Sequence, residues 1–142
     1  MANIKQIAME TGVSVATVSN ALTGKGRVSS KMAERIRQCA EDLGYRPSLA
    51  GRALRSGQTG ILGLVMPDLT NPLFPRIAQH LSLAADDRKL GILIADSRGN
   101  PEEQDQAIDR LLDRGVDGLL IVPQKGTTPG QQRVPTVIIN TA

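Results

Sequence analysis

The chain of 142 residues has no tryptophan, one tyrosine, one phenylalanine, one cysteine and one histidine. Tyr45 and Phe74 alone cannot build the row of aromatic rings on which single-stranded bases stack. The lone Cys39 excludes an internal disulfide framework and fits a reducing cytoplasm. Long apolar runs are missing as well. Ile61–Met66 is the longest run in the first half, and Gly63 interrupts it. Nothing approaches the roughly 18 apolar residues of a membrane helix. The start, Met-Ala-Asn-Ile-Lys-Gln, has no apolar segment of a secretory signal. No G-x-G-x-x-G, phosphate-binding loop or G-x-S-x-G is present, so no enzyme motif is visible. His80 falls within a helical stretch and reads as a surface or packing residue, and Glu102, Glu103, Asp105 and Asp109 as a solvated helix face. With 40% hydrophobic and 22% charged residues, disordered and fibrous classes are excluded.

Proline is absent before Pro47, and all eight prolines lie at or after it. Charge divides near the same place. Residues 1–60 hold nine Lys or Arg against four acids, a balance of +5, whereas residues 61–142 hold eight against ten, a balance of −2. The net +3 is therefore a sum of opposite signs. A basic head on an acidic body points to an anionic partner for the head, and nucleic acid is the usual one.

The head reads as three short helices. Ile4, Ile7, Ala8 and Met9 form one apolar stripe, with Asn3 as N-cap. Gly12 supplies the left-handed turn that stops it. Ser14 caps a second helix to about Ala21, with Val15, Val18, Ala21 and Leu22 apolar, and Thr23–Gly26 is a loop. Ser29 or Ser30 opens a third helix to about Leu43, carrying Met32, Ala33, Ile36, Ala40 and Leu43 on one face. Cys39 reads as packing. Two helices joined by a short turn containing Gly form a helix-turn-helix, whose second helix enters the DNA major groove. A purely structural helical hairpin has the same spacing; the basic charge of the segment favours DNA.

Ile4-Lys5-Gln6-Ile7-Ala8, Gly12-Val13-Ser14, Thr17-Val18-Ser19, Val28-Ser29 and Leu43-Gly44-Tyr45-Arg46-Pro47 resemble, without a gap through Leu54, the head of the lactose-repressor (LacI-type) family of bacterial transcription regulators. The resemblance implies that Val15, Ala16 and Asn20 read bases. Asn20 can pair with adenine, while Val15 and Ala16 can touch only a thymine methyl or exclude a base. It implies phosphate contacts for Asn3, Ser14, Thr17 and Ser19, which position without specifying; helix capping is the simpler role for Asn3 and Ser14, and the two coexist. It also implies that Pro47–Gly57, too short to be a stable helix alone, folds where two subunits sit side by side on an operator. There Leu54 wedges into a minor-groove step, flanked by Arg52 and Arg55. Packing of linker against domain is the other role open to Leu54.

From Gly60 the pattern alternates strand and helix: Ile61–Met66, a helix over Leu73–Lys89, Gly91–Ala95, a helix from Pro101 to about Gly115, Gly118–Val122 and Val134–Ile139. Such alternation predicts a parallel sheet with right-handed crossovers. The polar stretch 124–134 reads as a loop. Pro67-Asp68, Asn71-Pro72-Leu73-Phe74, Gly115–Leu120 and Val134–Val137 resemble the periplasmic-binding-protein-like sensing domain of the same family. That implies strand order 2-1-3-4 and an effector at the carboxyl ends of strands one and three. Asp68, Asn71, Leu73, Phe74, Gln124 or Lys125, and Asn140 are the candidate effector residues. Leu73 stands where the family often has a sugar-stacking aromatic, and Asn140-Thr141 replaces an Asp-Arg pair.

The expected architecture is a small all-α helix-turn-helix head plus an α/β body with a partial doubly wound parallel sheet, the first half of the first sensing subdomain. Residues 1–46 form the head, 47–59 the hinge helix and linker, and 60–142 the partial sensing domain. The expected function is a sequence-specific DNA-binding transcription regulator, a repressor, cytoplasmic and associated with the bacterial nucleoid, dimeric on a palindromic operator. No cofactor or metal is expected. Family members are considerably longer and close their cleft with a second subdomain, so weakened or lost response to a sugar-like or nucleoside-like effector is expected, with apolar sheet surface exposed. A small-molecule-binding module or α/β enzyme with a purely structural head, and an inactive truncated gene product, are the competing readings.

Gly51 stands where the family usually has Ala, and Gly costs a helix about 1 kcal/mol relative to Ala. Gly51→Ala is expected to tighten operator binding by up to about fivefold for each hinge that folds, the equivalent of that cost. Titration of both proteins on one operator duplex checks this, and equal affinities would count against a folding cost in the hinge.

Overall fold

The computed structural model describes residues 1–140, the side chain of Arg55 excepted, so Thr141 lies outside the described residues. The chain divides into two compact units, Met1–Ser48 and a second from Leu49 onward.

In the first unit, α1 spans Ile4–Thr11, α2 Val15–Thr23 and α3 Ser30–Asp42. Each begins on a side-chain cap: Asn3 accepts from the Gln6 amide, Ser14 from Thr17 and Ser29 from Met32. Gly12, at φ +70°, ends α1 in the left-handed conformation and donates its N–H back to the Ala8 carbonyl. The apolar stripes meet in one core of Ile7, Ala8, Val18, Ala21, Ala33, Ile36 and Ala40, with Cys39 and Tyr45 packed against it, whereas Met9, expected on the stripe of α1, lies off its buried face and is 78% exposed. Ala8 is buried within this core. Ile7, Val18 and Ile36 are fully buried, and each such burial contributes about 2 kcal/mol. Thr11, the buried polar residue of this unit, is satisfied by its hydroxyl donating to the Ile7 carbonyl at 2.7 Å.

The second unit opens with α4, Leu49–Ser56, and continues β1 (Ile61–Met66), α5 (Leu73–Asp86), β2 (Gly91–Asp96), α6 (Pro101–Asp113), β3 (Gly118–Ile121) and β4 (Thr136–Ile138). The sheet is wholly parallel in the order β2-β1-β3-β4. α6 covers one face, over Val65, Leu119 and Ile121, and α5 the other, over Leu64, Met66 and Val122. Gly63 lets α6 close on β1, since a Cβ there would lie 2.8 Å from Leu119 and 2.9 Å from Leu111. Three elements are shorter than their sequence patterns. α5 stops at Asp86 because the chain turns to φ +58° at Lys89. β3 ends at Ile121 rather than Val122. β4 starts at Thr136 because Pro135 has no N–H to give a ladder. Segment 124–134 forms no helix. Apolar sheet surface is exposed on both faces of β4, at Val137 and Ile138, and at Ile94 on β2. Among the described residues no helix is long and apolar enough to cross a membrane.

Asp117 joins the start of β1 to the start of β3. Its Oδ1 accepts from the Thr59 amide at 2.8 Å and the Thr59 hydroxyl at 3.1 Å, and its Oδ2 from the Gly60 amide at 2.7 Å. Burial pushes the carboxyl up, but these donors together outweigh it and hold it below its ordinary value. A lowered folded-state pKa stabilises the fold above the ordinary carboxylate range and loses that stabilisation as pH falls through the folded value. Asp117→Asn, with one acceptor oxygen for three donors, is expected to destabilise this unit by about 2 kcal/mol at neutral pH. It should also flatten the acid limb of stability below about pH 4. Urea unfolding across pH checks both, and an unchanged acid limb would show that Asp117 does not carry it.

Candidate functional site

The head presents its candidate residues around the N-terminus of α2. Ser14 precedes the helix with its Oγ accepting from the Thr17 amide at 3.1 Å and paired with the Thr17 hydroxyl at 2.9 Å. The capping role of Ser14 is thus direct, and so is that of Asn3, whose Oδ1 accepts from the Gln6 amide at 2.9 Å. Both residues remain exposed. Val15 and Ala16 follow on the first turn, and Val15 is 46% exposed although its neighbour Val18 is fully buried. An apolar side chain left in water beside a filled core is poorly explained by packing. Asn20 and Ser19 are half-buried one turn later. Thr17 is also half-buried. Thus Val15, Ala16, Asn20, Ser14, Thr17 and Ser19 all belong to α2 or its cap. Asn3 belongs to the cap of α1.

The exposed cations of this unit are Lys5, Lys25, Arg27, Lys31, Arg35, Arg37 and Arg46, and Arg37 pairs with Glu34 at 3.1 Å. Lys25 and Arg27 sit in the loop after α2. Gly26 in that loop was not singled out by sequence reasoning. It has φ +75°, and a Cβ on it would fall 2.8 Å from the Asn20 amide nitrogen. Only a three-dimensional contact reveals this; the Gly-rich loop itself was the available signal.

In α4, Arg52 is exposed and Leu54 is 92% exposed, so Leu54 enters no core formed among the described residues. The Ser56 hydroxyl donates to the Arg52 carbonyl at 2.9 Å, and the Gly57 amide closes the helix onto Ala53. The segment is helical in the single chain, whereas the family resemblance implies helix formation on the operator. The Arg55 side chain lies outside the described residues.

In the body the sheet order reverses between β1 and β3, so the loops after β1, β3 and β4 share the carboxyl edge. They carry Asp68 and Asn71, Lys125, and Asn140 respectively. Asp68 is engaged within its own loop. The Thr70 hydroxyl at 2.6 Å and amide at 2.8 Å donate to it and hold its carboxyl below the ordinary value. Asn71 accepts from the Leu73 amide at 3.0 Å, fixing the start of α5. Leu73, Lys125 and Asn140 are exposed. Phe74 stands apart: its ring is buried with Leu64, Met66, Ala78 and Val122 in the core beneath α5. Gln104 went unnoticed in the sequence. It is 2% exposed, its Oε1 accepts from the Gln124 amide at 2.6 Å, and its Nε2 donates to the Thr127 hydroxyl at 3.1 Å. It thereby fixes the loop that carries Lys125. The signal was a polar residue at the head of the apolar stripe Ala107, Ile108 and Leu111. Among the described residues no cluster of His, Cys, Asp or Glu is placed to hold a metal ion.

Ser14→Ala is expected to lower head stability by about 1 kcal/mol through the lost cap, while Val15→Ser changes it by less than about 0.5 kcal/mol as an exposed substitution. Thermal unfolding separates them. Equal losses would show that Val15 is a packing residue after all.

Comparison with known proteins agrees with this geometry. Residues 3–48 match the family described as "Bacterial regulatory proteins, lacI family". The chain is 34% identical over 131 residues to the maltose regulon regulatory protein MalI of Escherichia coli K12, covering 92% of this chain and 38% of that protein. It is 38% identical over 129 residues to the HTH-type transcriptional regulator AscG of the same organism, covering 87% of this chain and 38% of AscG. The chain therefore spans about two fifths of the length of the curated relatives it matches. Among solved structures, a Lac repressor dimer bound to operator and the anti-inducer ONPF superposes with a TM-score of 0.77 at 25% identity, over 84% of this chain and 37% of that one. A LacI-family transcriptional regulator from Silicibacter pomeroyi superposes at 0.80 over 97% of this chain and 43% of that one, and at 23% identity it speaks for the fold alone. The small helical head followed by a partial parallel sheet is the periplasmic-binding-protein-like arrangement of such regulators. The head, residues 3–48, thus matches the lacI family of bacterial regulatory proteins, and the curated relatives whose similarity runs on into the body are themselves regulators.

Proposed function

We propose that the protein is a sequence-specific DNA-binding transcription regulator that represses from a two-fold symmetric operator, acting in the bacterial cytoplasm and without an enzymatic reaction of its own. The observation that carries this reading is the exposed apolar and polar surface at the start of α2, Ser14-Val15-Ala16, on a unit that carries seven exposed cations. Residues 1–46 bind DNA, residues 47–59 are the hinge and residues 60–142 the sensing portion. Val15, Ala16 and Asn20 face base edges in the major groove. Asn3, Ser14, Thr17 and Ser19 position the head on phosphates. Leu54, with Arg52 and Arg55 beside it, enters the minor groove, and its near-complete exposure supports a wedge over a packing role.

The Lac repressor that superposes on this chain is described as a dimer on its operator. A dimer here is supported by the exposed Leu73 and Leu83 on α5 and Ile94 on β2, apolar residues left uncovered among the described residues. An effector, where one binds, sits at the carboxyl edge between Asp68, Asn71, Leu73, Lys125 and Asn140. Leu73 offers apolar contact instead of aromatic stacking, and Phe74 shapes the site from beneath through its packing under α5.

Affinity for random duplex DNA is expected to fall roughly tenfold or more between about 50 and about 200 mM salt, because each neutralised phosphate releases counterions. A flat salt response would overturn the reading. Sites selected from a random duplex pool should be two-fold symmetric. Leu54→Ala should lose about tenfold in operator affinity together with the operator bend, as unstacking is no longer repaid by contacts.

A further inference from the structure

Asn20 is the one candidate base-reading side chain with a hydrogen-bonding group, so its orientation governs what it reads. It opens the last turn of α2, half-buried. The loop after the helix curls back onto it, with the Gly24 amide capping the Asn20 carbonyl and the Lys25 amide bonding the same carbonyl at 3.1 Å. The chain then passes Gly26 in the left-handed region at φ +75°. A Cβ built on Gly26 would stand 2.8 Å from Asn20 Nδ2, 2.9 Å from its Cγ and 3.3 Å from its Cβ. The Asn20 amide therefore packs directly on the Gly26 backbone, in space that any side chain at 26 would take.

We propose that Gly26 is a positioning residue for sequence readout: its bare backbone forms the surface against which the Asn20 amide is oriented, and so sets base preference at one operator position. This rests on the proposed DNA-binding role. An amide that forms two hydrogen bonds to one base must arrive in a single orientation. A backbone floor holds it there before DNA arrives, whereas a longer side chain at 26 would tilt it out of plane.

The loop contains its own control. Gly24 has nearly the same left-handed backbone, φ +70°, but nothing within 4 Å of its Cβ position. Gly24→Ala and Gly26→Ala thus carry the same backbone strain, and only the second displaces Asn20. The full chain and each variant would be put through site selection from a random duplex pool, and the Asn20 χ1 rotamer would be followed by NMR couplings in the free protein. The expected result is one Asn20 rotamer in the parent and in Gly24→Ala, with averaging in Gly26→Ala. Discrimination at a single symmetric pair of operator positions should fall about tenfold in Gly26→Ala alone. Adding Gly26→Ala to Asn20→Ala should change that position no further. Equal effects of the two alanines on discrimination, or an unaltered preference in Gly26→Ala, would overturn the inference. An Asn20 side chain already averaged in the parent would overturn it whatever the DNA result. A parent protein that selects no sequence at all would instead remove the functional reading on which it rests, and the NMR arm tells these failures apart.

Discussion

The head depends on one constraint: none of its helices is long enough to hold itself. α1, α2 and α3 have 8, 9 and 13 residues, at or below the length at which an isolated helix is marginal in water. They persist because Ile7, Val18 and Ile36 share a single dry core and because Asn3, Ser14 and Ser29 satisfy the amides that helix starts leave open. The left-handed Gly12 ends α1 and turns the chain toward α2. Val15 stays 46% exposed at the start of α2 while Val18 and Ala21 of the same helix are buried. The same residues that hold the head together therefore decide which ones remain outside to meet a partner.

The body solves a different problem. A parallel sheet must be covered on both faces, and α5 and α6 do this for β1 and its neighbours. Gly63 and the alanines of the two helices allow close approach. Polar residues then set the loops at the carboxyl edge: Gln104 for the loop after β3, Asn71 and Asp68 for the loop after β1. Asp117 does the equivalent at the opposite edge, where the chain leaves the α4 segment and enters β1. β4 is the least covered strand, with apolar residues exposed on both of its faces.

Much of this was legible in the order of residues. The caps, the Gly12 turn and the apolar stripes of the head are local signals, and the strand order follows from alternation together with the family resemblance. Element ends were less legible. α5 stops before its pattern does because of the turn through Lys89, and β4 starts late because Pro135 has no donor. Phe74 is a candidate ligand contact by its place after β1, yet its ring is buried in the core; helix phase decides that, and a motif match does not carry the phase. The role of Gln104 is not legible in the sequence, because its partners Gln124 and Thr127 lie some twenty residues away.

By itself the sequence determined the division of labour: a basic, proline-free head ahead of an acidic α/β body. It determined the helix starts and the turn glycines as well, because capping and left-handed backbone depend on neighbours a few residues away. Tertiary structure alone decided which side chains of α2 stay in water, which polar groups fix the edge loops, and that the Asn20 amide rests on Gly26. Those outcomes depend on separate segments meeting at distances of a few ångströms, and spacing along the chain does not encode such distances.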